Sequence, residues 1–95
     1  MLRCAGLTVV DYTAVWCGPC RFVAPLFEKL ASEHTSVQFL KVDIDTPELE
    51  ASVRAANVTA VPTFTFHVNG VAISDATIRG ADVESLKKAI SRLKT

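Results

Sequence analysis

Two cysteines stand three positions apart in the segment Trp16-Cys17-Gly18-Pro19-Cys20. An apolar run precedes this segment and a helical spacing of apolar residues follows it, so we expect both cysteines in the first turn of a helix. The unpaired backbone N–H groups of a helix start favour an anion, and the thiolate form of Cys17 should therefore be favoured over its thiol. Cys20, one turn deeper, should stay protonated and shielded. One exposed nucleophile beside one sheltered thiol is the arrangement that thiol–disulfide exchange needs.

The cysteine pair has two other interpretations, as half of a zinc site or as a structural pair. A single pair with this spacing is half of a zinc site, and zinc needs four ligands. The remaining candidates, Cys4, His34 and His67, provide no second paired spacing, so we expect no metal. A purely structural pair of buried cysteines is also disfavoured, because Gly18-Pro19 and the adjacent Trp16 are poor choices for core packing.

Charge and hydropathy argue against two classes of partner. Ten Lys and Arg residues balance ten Asp and Glu residues. This balance provides no strongly basic face for phosphates, so we expect no nucleic-acid partner. The longest uncharged stretch, Ala55–Ser74, is interrupted by Asn57, Pro62 and His67, among others. We therefore expect no membrane-spanning segment.

Length and cysteine usage indicate a single intracellular domain. A chain of 95 residues, 49% of them hydrophobic, is large enough for one core. We interpret residues 1–95 as one domain in which residues 1–6 form an N-terminal tail. This tail has no sustained apolar run and does not match a secretory signal. Three cysteines, of which only two lie close together, do not make a disulfide framework, and we expect a reducing compartment, the cytoplasm.

The first half of the chain alternates strand and helix patterns. Leu7–Tyr12 is a short apolar, β-branched run typical of a strand buried on both faces. A helix should start near Cys17 and run to about Glu33. Its predicted apolar face consists of Phe22, Val23, Leu26, Phe27, Leu30 and Ala31. Val37–Asp43 is predicted to be the second strand.

The second half predicts a short helix, a hairpin and a final helix. Thr46-Pro47-Glu48 opens the short helix, with the threonine as its N-cap. Thr63–Val68 and Val71–Ile78 are predicted strands joined by an Asn69-Gly70 turn. Asp82 caps the final helix. The order βαβα followed by ββα combines parallel strands with an antiparallel pair, so we predict an α/β domain with a mixed four-stranded sheet sandwiched by helices.

Several separated segments, in the right order, resemble those of the thioredoxin family. They are Val10–Cys20, Ala24-Pro25, Val61-Pro62-Thr63-Phe64 and Gly80-Ala81. The resemblance covers nearly the whole chain, from about Leu7 to Leu93, and implies the thioredoxin fold. The chain departs from the family pattern by lacking the usual N-terminal strand and helix before Leu7. The strand Val37–Asp43 would then become an edge of the sheet.

The resemblance also implies roles for two charged residues. Asp11 lies in an apolar strand, where an ionised carboxylate is costly to bury, and its pKa should be raised. It matches the buried aspartate of the family, a candidate proton acceptor for Cys20. The alternative is an inert, hydrogen-bonded carboxylate at a strand end. Lys41 matches the lysine that neighbours this aspartate, and its alternative is a solvated lysine on a strand face.

A substrate-binding surface is implied around the cysteines. It would consist of Trp16, Gly18, Pro19, Ala60, Val61, Pro62 and Gly80. In the family the peptide bond that corresponds to Val61-Pro62 is cis and brings the backbone beside the cysteines, where it can pair with an extended substrate. Trp16 could instead be an ordinary core residue.

The function implied is that of a protein-disulfide reductase with a redox-active Cys17–Cys20 disulfide, which contributes to cell redox homeostasis. We expect disulfide-containing protein substrates and no bound cofactor. No G-x-G-x-x-G fingerprint is present, so NADPH should act indirectly, through a thioredoxin reductase. The alternatives are a non-enzymatic binding module, as part of a larger protein, and a zinc-binding domain. We expect a monomer, although the thiol of Cys4 could form a disulfide-linked dimer.

Overall fold

The computed structural model describes residues 6–94. The strands are β1 Leu7–Thr13, β2 Gln38–Asp43, β3 Thr63–Val68, β4 Val71–Ala72 and β5 Ile78–Arg79. The helices are α1 Gly18–Glu33, α2 Glu50–Ala55 and α3 Val83–Leu93, and 3₁₀ turns lie at Pro47–Leu49 and Ser74–Ala76. Within the described residues, no helix is both long and apolar enough to cross a bilayer.

The strands form one mixed sheet in the order β2-β1-β3-β4, and β5 also pairs with β3. β1 runs parallel to β2 and antiparallel to β3, so it lies inside the sheet. β2 lies at an edge of the sheet among residues 6–94, as predicted. A right-handed crossover through α1 is the usual way to join two parallel neighbours such as β1 and β2.

The predicted strand Val71–Ile78 is wrong as a single element. The structure divides it into β4 and β5 with the 3₁₀ turn Ser74–Ala76 between them, and the sheet therefore has five strands rather than four. The turn places Ala76 in the core, while the backbone N–H of Ile73 still donates to the Phe66 carbonyl at 2.8 Å. The strand breaks at Ser74–Ala76 because Ala76 packs into the core. The alternation of apolar and polar residues along the strand does not encode this packing.

The main core lies between the sheet and the helices α1 and α3. Side chains alternate across a strand, so Leu7, Val9 and Asp11 point to the same face of β1. The buried cluster on this face includes Leu7, Val9, Val23, Phe27, Leu30, Phe64, Phe66, Leu86 and Ile90. The other face of β1 is buried as well, through Thr8, Val10 and Tyr12, and the prediction of a strand buried on both faces is confirmed.

The predicted apolar face of α1 is too wide. Its buried residues are Cys20, Val23, Phe27 and Leu30, whereas Phe22 is 64% exposed. Phe22 precedes Val23 by one position, which is about 100° around a helix, and it therefore points away from the sheet. The helix bounds predicted near Cys17 and Glu33 are confirmed.

Local signals at the turns and helix ends are confirmed with one exception. Asn69 and Gly70 have φ angles of 53° and 82°, the left-handed pair that a tight hairpin needs. Asp82 caps α3, because its carboxylate accepts the Ser85 backbone N–H at 3.1 Å. Thr46 makes no side-chain capping bond, and the chain enters α2 through the 3₁₀ turn Pro47–Leu49 instead.

The predicted tail is only partly within the described residues. Gly6 is already part of the fold, since its N–H donates to the Asn69 side chain at 2.8 Å and its carbonyl accepts the Asn69 N–H at 2.9 Å. Residues 1–5, with Cys4, lie outside the described residues.

The hairpin generates a first prediction. In Gly70→Ala the added Cβ meets no heavy atom within 4 Å, so it clashes with no neighbour. The loss of stability comes instead from the φ of 82°, which alanine adopts unfavourably. We expect the free energy of unfolding to fall by about 1 kcal/mol. Urea unfolding of the oxidised protein measures it.

Gly18→Ala is the matched control for this change. Its added Cβ also meets no heavy atom within 4 Å, but Gly18 lies in the first turn of α1 without a positive φ. Alanine is favourable in a helix, so this variant should unfold at or slightly above the denaturant concentration of the parent. Equal midpoints for both variants would contradict the conformational explanation.

Candidate active site

The loop between β1 and α1 positions the two cysteines. Cys17 is the N-cap of α1, and its sulfur accepts the backbone N–H of Cys20 at 3.1 Å. The two residues form a disulfide, with Cα atoms 5.2 Å apart. Pro19 lies in the first helical turn, where a missing backbone N–H costs nothing. The predicted placement of both cysteines at a helix start is confirmed.

The predicted difference in exposure between the cysteines is wrong for the disulfide-bonded state. Cys17 is 4% exposed and Cys20 is 3% exposed. In this state the Val61 carbonyl lies 3.7 Å from the Cys17 sulfur. Both sulfurs belong to a small buried cluster with Ala14, against which Ile44 and Val61 pack.

The peptide bond Val61-Pro62 is cis, as predicted. This segment places the Val61 carbonyl against the Cys17 sulfur. The Pro62 carbonyl accepts the Gly80 N–H at 2.8 Å, and the Ala60 carbonyl accepts the Thr63 hydroxyl at 2.6 Å. The hydrogen bonds therefore hold the predicted residues Ala60, Val61, Pro62 and Gly80 together beside the disulfide.

Trp16 is held at the surface. Trp16 is 62% exposed, and its indole N–H donates to the Asp45 carboxylate at 2.7 Å. Asp45 is itself oriented, because its backbone N–H donates to the Asp43 carboxylate at 2.9 Å. The core-packing alternative for Trp16 is therefore excluded.

Asp45 is a site residue that the sequence analysis missed. A signal was present: β1 and β2 are parallel neighbours with Thr13 beside Asp43, so the residues that follow both strands meet at one edge of the sheet. Trp16 follows β1 by three positions and Asp45 follows β2 by two. Asp43 at the end of β2 and Asp45 just beyond it could have been matched to the tryptophan beyond β1.

An open, mostly apolar cavity adjoins the tryptophan. Its volume is about 350 Å³, and it is lined by Trp16, Ile44, Val58, Thr59, Ala60 and Val61. Gly18 and Pro19 are exposed at the start of α1. Three of the predicted substrate-binding residues therefore line one cavity, while Gly80 joins them only through its hydrogen bond to Pro62.

Asp11 is buried in the middle of the sheet. It is 1% exposed, and its Oδ1 has no hydrogen-bond partner among the described residues. The register places it between Lys41 of β2 and Phe64 of β3. Burial raises the pKa of Asp11 from 3.8 to about 6, and the opposing charge of Lys41 limits the rise. The prediction that the pKa of Asp11 is raised is confirmed. The alternative of an inert, hydrogen-bonded carboxylate does not hold for Oδ1.

Lys41 is only partly solvated, and its ammonium pairs with a carboxylate on α1. Its side chain is 44% exposed, and its Nζ lies 3.8 Å from the carboxylate of Glu28 on α1. Lys41 also lines an open cavity of about 190 Å³ together with Cys20, Arg21 and Asp43. The structure therefore places a cationic side chain in the cavity that Cys20 also lines, on the strand next to Asp11.

No group of three or more His, Cys, Asp and Glu residues within residues 6–94 could hold a metal ion. The zinc-domain alternative would require such a group. His67, one of its candidates, instead contacts the Thr65 hydroxyl at 3.1 Å, and partial burial lowers the pKa of this histidine.

A family model described as Thioredoxin matches residues 2–92. This chain belongs to the thioredoxin family. Thioredoxin H-type from Chlamydomonas reinhardtii is 45% identical over 85 residues, which are 88% of this chain and 72% of that protein. Thioredoxin from Geodia cydonium is 41% identical over 95 residues, 98% of this chain and 87% of its own length. The X-ray structure of Fasciola hepatica thioredoxin superposes with a TM-score of 0.85 at 43% identity, covering 93% of this chain and 81% of that one.

Family membership and the cysteine disulfide establish the activity. The chain is a thiol–disulfide oxidoreductase, a protein-disulfide reductase of the thioredoxin type, with a redox-active disulfide between Cys17 and Cys20. The thioredoxin fold predicted from the sequence segments is confirmed.

The buried carboxylate generates a second prediction. The folded-state pKa of Asp11, about 6, exceeds the unfolded value of 3.8, so its stabilising contribution is complete below pH 3.8 and is lost as the pH rises through 6. Above that pH the fold carries a buried charge. Asp11→Asn should therefore raise the free energy of unfolding at pH 8 by roughly 1–3 kcal/mol, and by much less at pH 4.

Urea unfolding at both pH values measures this difference. Asp75→Asn, at an exposed position in the 3₁₀ turn, is the matched control and should change stability little at either pH. A gain at pH 4 as large as the gain at pH 8 would show that the effect does not come from ionisation of Asp11.

Proposed function

We propose that this protein reduces disulfides of other proteins in two exchange steps carried by Cys17 and Cys20. The Cys17 thiolate attacks one sulfur of the substrate disulfide, a mixed disulfide forms, and the first substrate thiolate leaves and takes up a proton. Cys20 then loses its proton and attacks the Cys17 sulfur, which releases the second substrate thiol. The substrate gains two electrons and two protons, and the protein is left with the Cys17–Cys20 disulfide.

The observation that carries this proposal is the position of the Cys17 sulfur at the start of α1. It accepts the Cys20 N–H at 3.1 Å, which is a hydrogen bond that a thiolate strengthens. The partial positive charge of the helix N-terminus adds to this stabilisation. Cys20 lies within the first turn of α1 rather than at its N-cap. This asymmetry supports Cys17 as the nucleophile and Cys20 as the resolving thiol.

Asp11 is proposed as the proton acceptor for Cys20. A carboxylate with a pKa of about 6 is ionised at neutral pH yet still basic enough to take a proton from a thiol in the transition state. Its unpartnered Oδ1 and its position on the sheet face that α1 covers support this role. Lys41, its neighbour across the β1–β2 pair, is proposed to stabilise the ionised form.

The proposed substrate surface is formed by Trp16, Gly18, Pro19, Ala60, Val61, Pro62 and Gly80. An extended substrate segment would lie along the cis-proline loop, beside the Val61 backbone, with its disulfide above Cys17. Support comes from the apolar cavity beside Trp16 and from the exposure of Gly18 and Pro19 at the helix start. Apolar contacts with few polar anchors are suited to many different protein substrates.

Electrons would come from NADPH through a thioredoxin reductase, since the chain carries no nucleotide-binding fingerprint of its own. We propose that the protein acts as a monomer, as the single domain 1–95, in the cytoplasm. A reducing compartment suits a protein whose catalytic cysteines must return to thiols. Such a protein contributes to electron transport and to cell redox homeostasis.

The cysteine roles generate a third prediction. With dithiothreitol as reductant, the protein should accelerate the reduction of insulin disulfides. Cys17→Ser should abolish this acceleration. Pre-reduced Cys20→Ser, mixed with insulin in the absence of dithiothreitol, should stop after one exchange and accumulate a mixed disulfide through Cys17. Turbidity follows the reaction, and intact-protein mass spectrometry detects the adduct.

A coupled assay with NADPH and a thioredoxin reductase tests the proposed electron source. NADPH oxidation should depend on Cys17 and on a disulfide substrate. If instead the Cys17→Ser, Cys20→Ser double variant kept full affinity for a partner protein and the parent showed no turnover, the binding-module alternative would be correct.

The Trp16–Asp45 hydrogen bond generates a fourth prediction. Asp45→Ala frees the indole, and the loss of about 1 kcal/mol of ordering should raise KM for insulin about 3- to 10-fold. Reduction of a small aliphatic disulfide, which needs little of the docking surface, should change less than about 2-fold. Asp75→Ala, which removes an exposed carboxylate outside the site, is the control. Equal losses on both substrates would show that Asp45 acts on the chemistry rather than on docking.

A further inference from the structure

Charged groups on two elements bear on Asp11 through Lys41, its register partner on β2. Glu28 of α1 pairs with Lys41, and Arg21 of α1 and Asp43 of β2 line a cavity together with it. β3 places the uncharged Phe64 beside Asp11, and the buried residues of α3 are Leu86, Ala89 and Ile90, none of which is ionisable.

Two of these charged groups are already engaged elsewhere. The Arg21 guanidinium donates to the Val15 carbonyl at 3.1 Å. The Asp43 carboxylate accepts the Asp45 N–H at 2.9 Å. The ammonium of Lys41 is therefore the main cation near Asp11. This ammonium forms an ion pair with Glu28.

Lys41 lies on the strand next to a buried carboxylate and pairs with an exposed one. It is the register partner of Asp11 on the strand next to it, and its Nζ lies 3.8 Å from Glu28 Oε2. Asp11 Oδ1 meanwhile has no hydrogen-bond partner among residues 6–94. The flexible stem of lysine lets one ammonium move between two such acceptors.

We propose that Glu28 is a positioning residue, which draws the Lys41 ammonium toward the surface of α1 and so weakens its pairing with Asp11. This inference rests on the proposed role of Asp11 as a proton acceptor and names the residue that tunes it. Glu28 would act through Lys41 and would not touch the substrate or the cysteines.

The sign of the effect follows from electrostatics. Without the Glu28 charge, Lys41 is free to turn toward Asp11, and an opposite charge close to a carboxylate favours the ionised form. The pKa of Asp11 should therefore fall. Direct repulsion between the two carboxylates acts in the same direction, so the Lys41 contribution must be separated from it.

A double-mutant cycle makes this separation. In reduced protein, the pKa of Asp11 is measured from the pH titration of its carboxyl ¹³C resonance in the parent, Glu28→Gln, Lys41→Met and the double variant. Glu28→Gln should lower the pKa of Asp11 by roughly 0.3–0.7, the size that an exposed ion pair allows. In the Lys41→Met background the same change should have less than half of this effect.

Glu33→Gln is the matched control. Glu33 is an exposed carboxylate at the end of the same helix, and its loss changes the net charge by the same amount. It should leave the Asp11 titration unchanged. The acid limb of the pH profile for single-turnover disulfide reduction should move to lower pH in Glu28→Gln and stay in place in Glu33→Gln.

Three results would overturn the proposal. An unchanged or raised pKa of Asp11 in Glu28→Gln would exclude it. If Glu28→Gln shifted the pKa of Asp11 equally with and without Lys41, Glu28 would act on Asp11 directly through space. If Glu33→Gln produced an equal shift, the effect would come from the net charge of the protein. Failure of the parent to reduce insulin would instead reject the proposed function, while the titration would still decide whether Glu28 positions Lys41.

Discussion

The arrangement of the site depends on one sulfur at the first turn of a helix. Cys17 caps α1, and its sulfur accepts the Cys20 N–H while the Val61 carbonyl lies on its other side. For this geometry to hold, β1 must end and α1 must begin at fixed points over the sheet. The burial of β1 on both faces and the packing of α1 through Val23 and Phe27 provide that rigidity.

Asp11 shows that the core is not optimised for stability alone. Its side chain lies on the same strand face as Leu7 and Val9, in a cluster that is otherwise apolar. A carboxylate there is costly to ionise at neutral pH, and the proposed role of Asp11 as a proton acceptor is a physical reason for retaining it. The parallel pairing with β2 brings Lys41 alongside, and the crossover helix brings Glu28 to Lys41. One βαβ unit thus assembles the cysteines and the charges behind them.

The same βαβ unit also brings Trp16 and Asp45 together next to Cys17. Because β1 and β2 are parallel, the segments that follow them meet at one edge of the sheet, where Trp16 bonds to Asp45. The loop before β3 closes the other side, with Val61-Pro62 beside the disulfide and Gly80 bonded to Pro62. Trp16 and the cis-proline loop therefore lie next to the cysteine pair, whereas Asp11 is buried within β1.

Local patterns in the sequence determined much of this protein. The cysteine spacing, the helix start near Cys17, the Asn69-Gly70 turn and the cap at Asp82 act over a few residues, so each was predictable. Tertiary structure alone decided the exposure of Phe22, the break at Ser74–Ala76, the near-equal burial of the cysteines, and the pairing of Trp16 with Asp45 and of Lys41 with Glu28. Burial and long-range contacts depend on which elements cover a side chain, and local spacing does not contain that information.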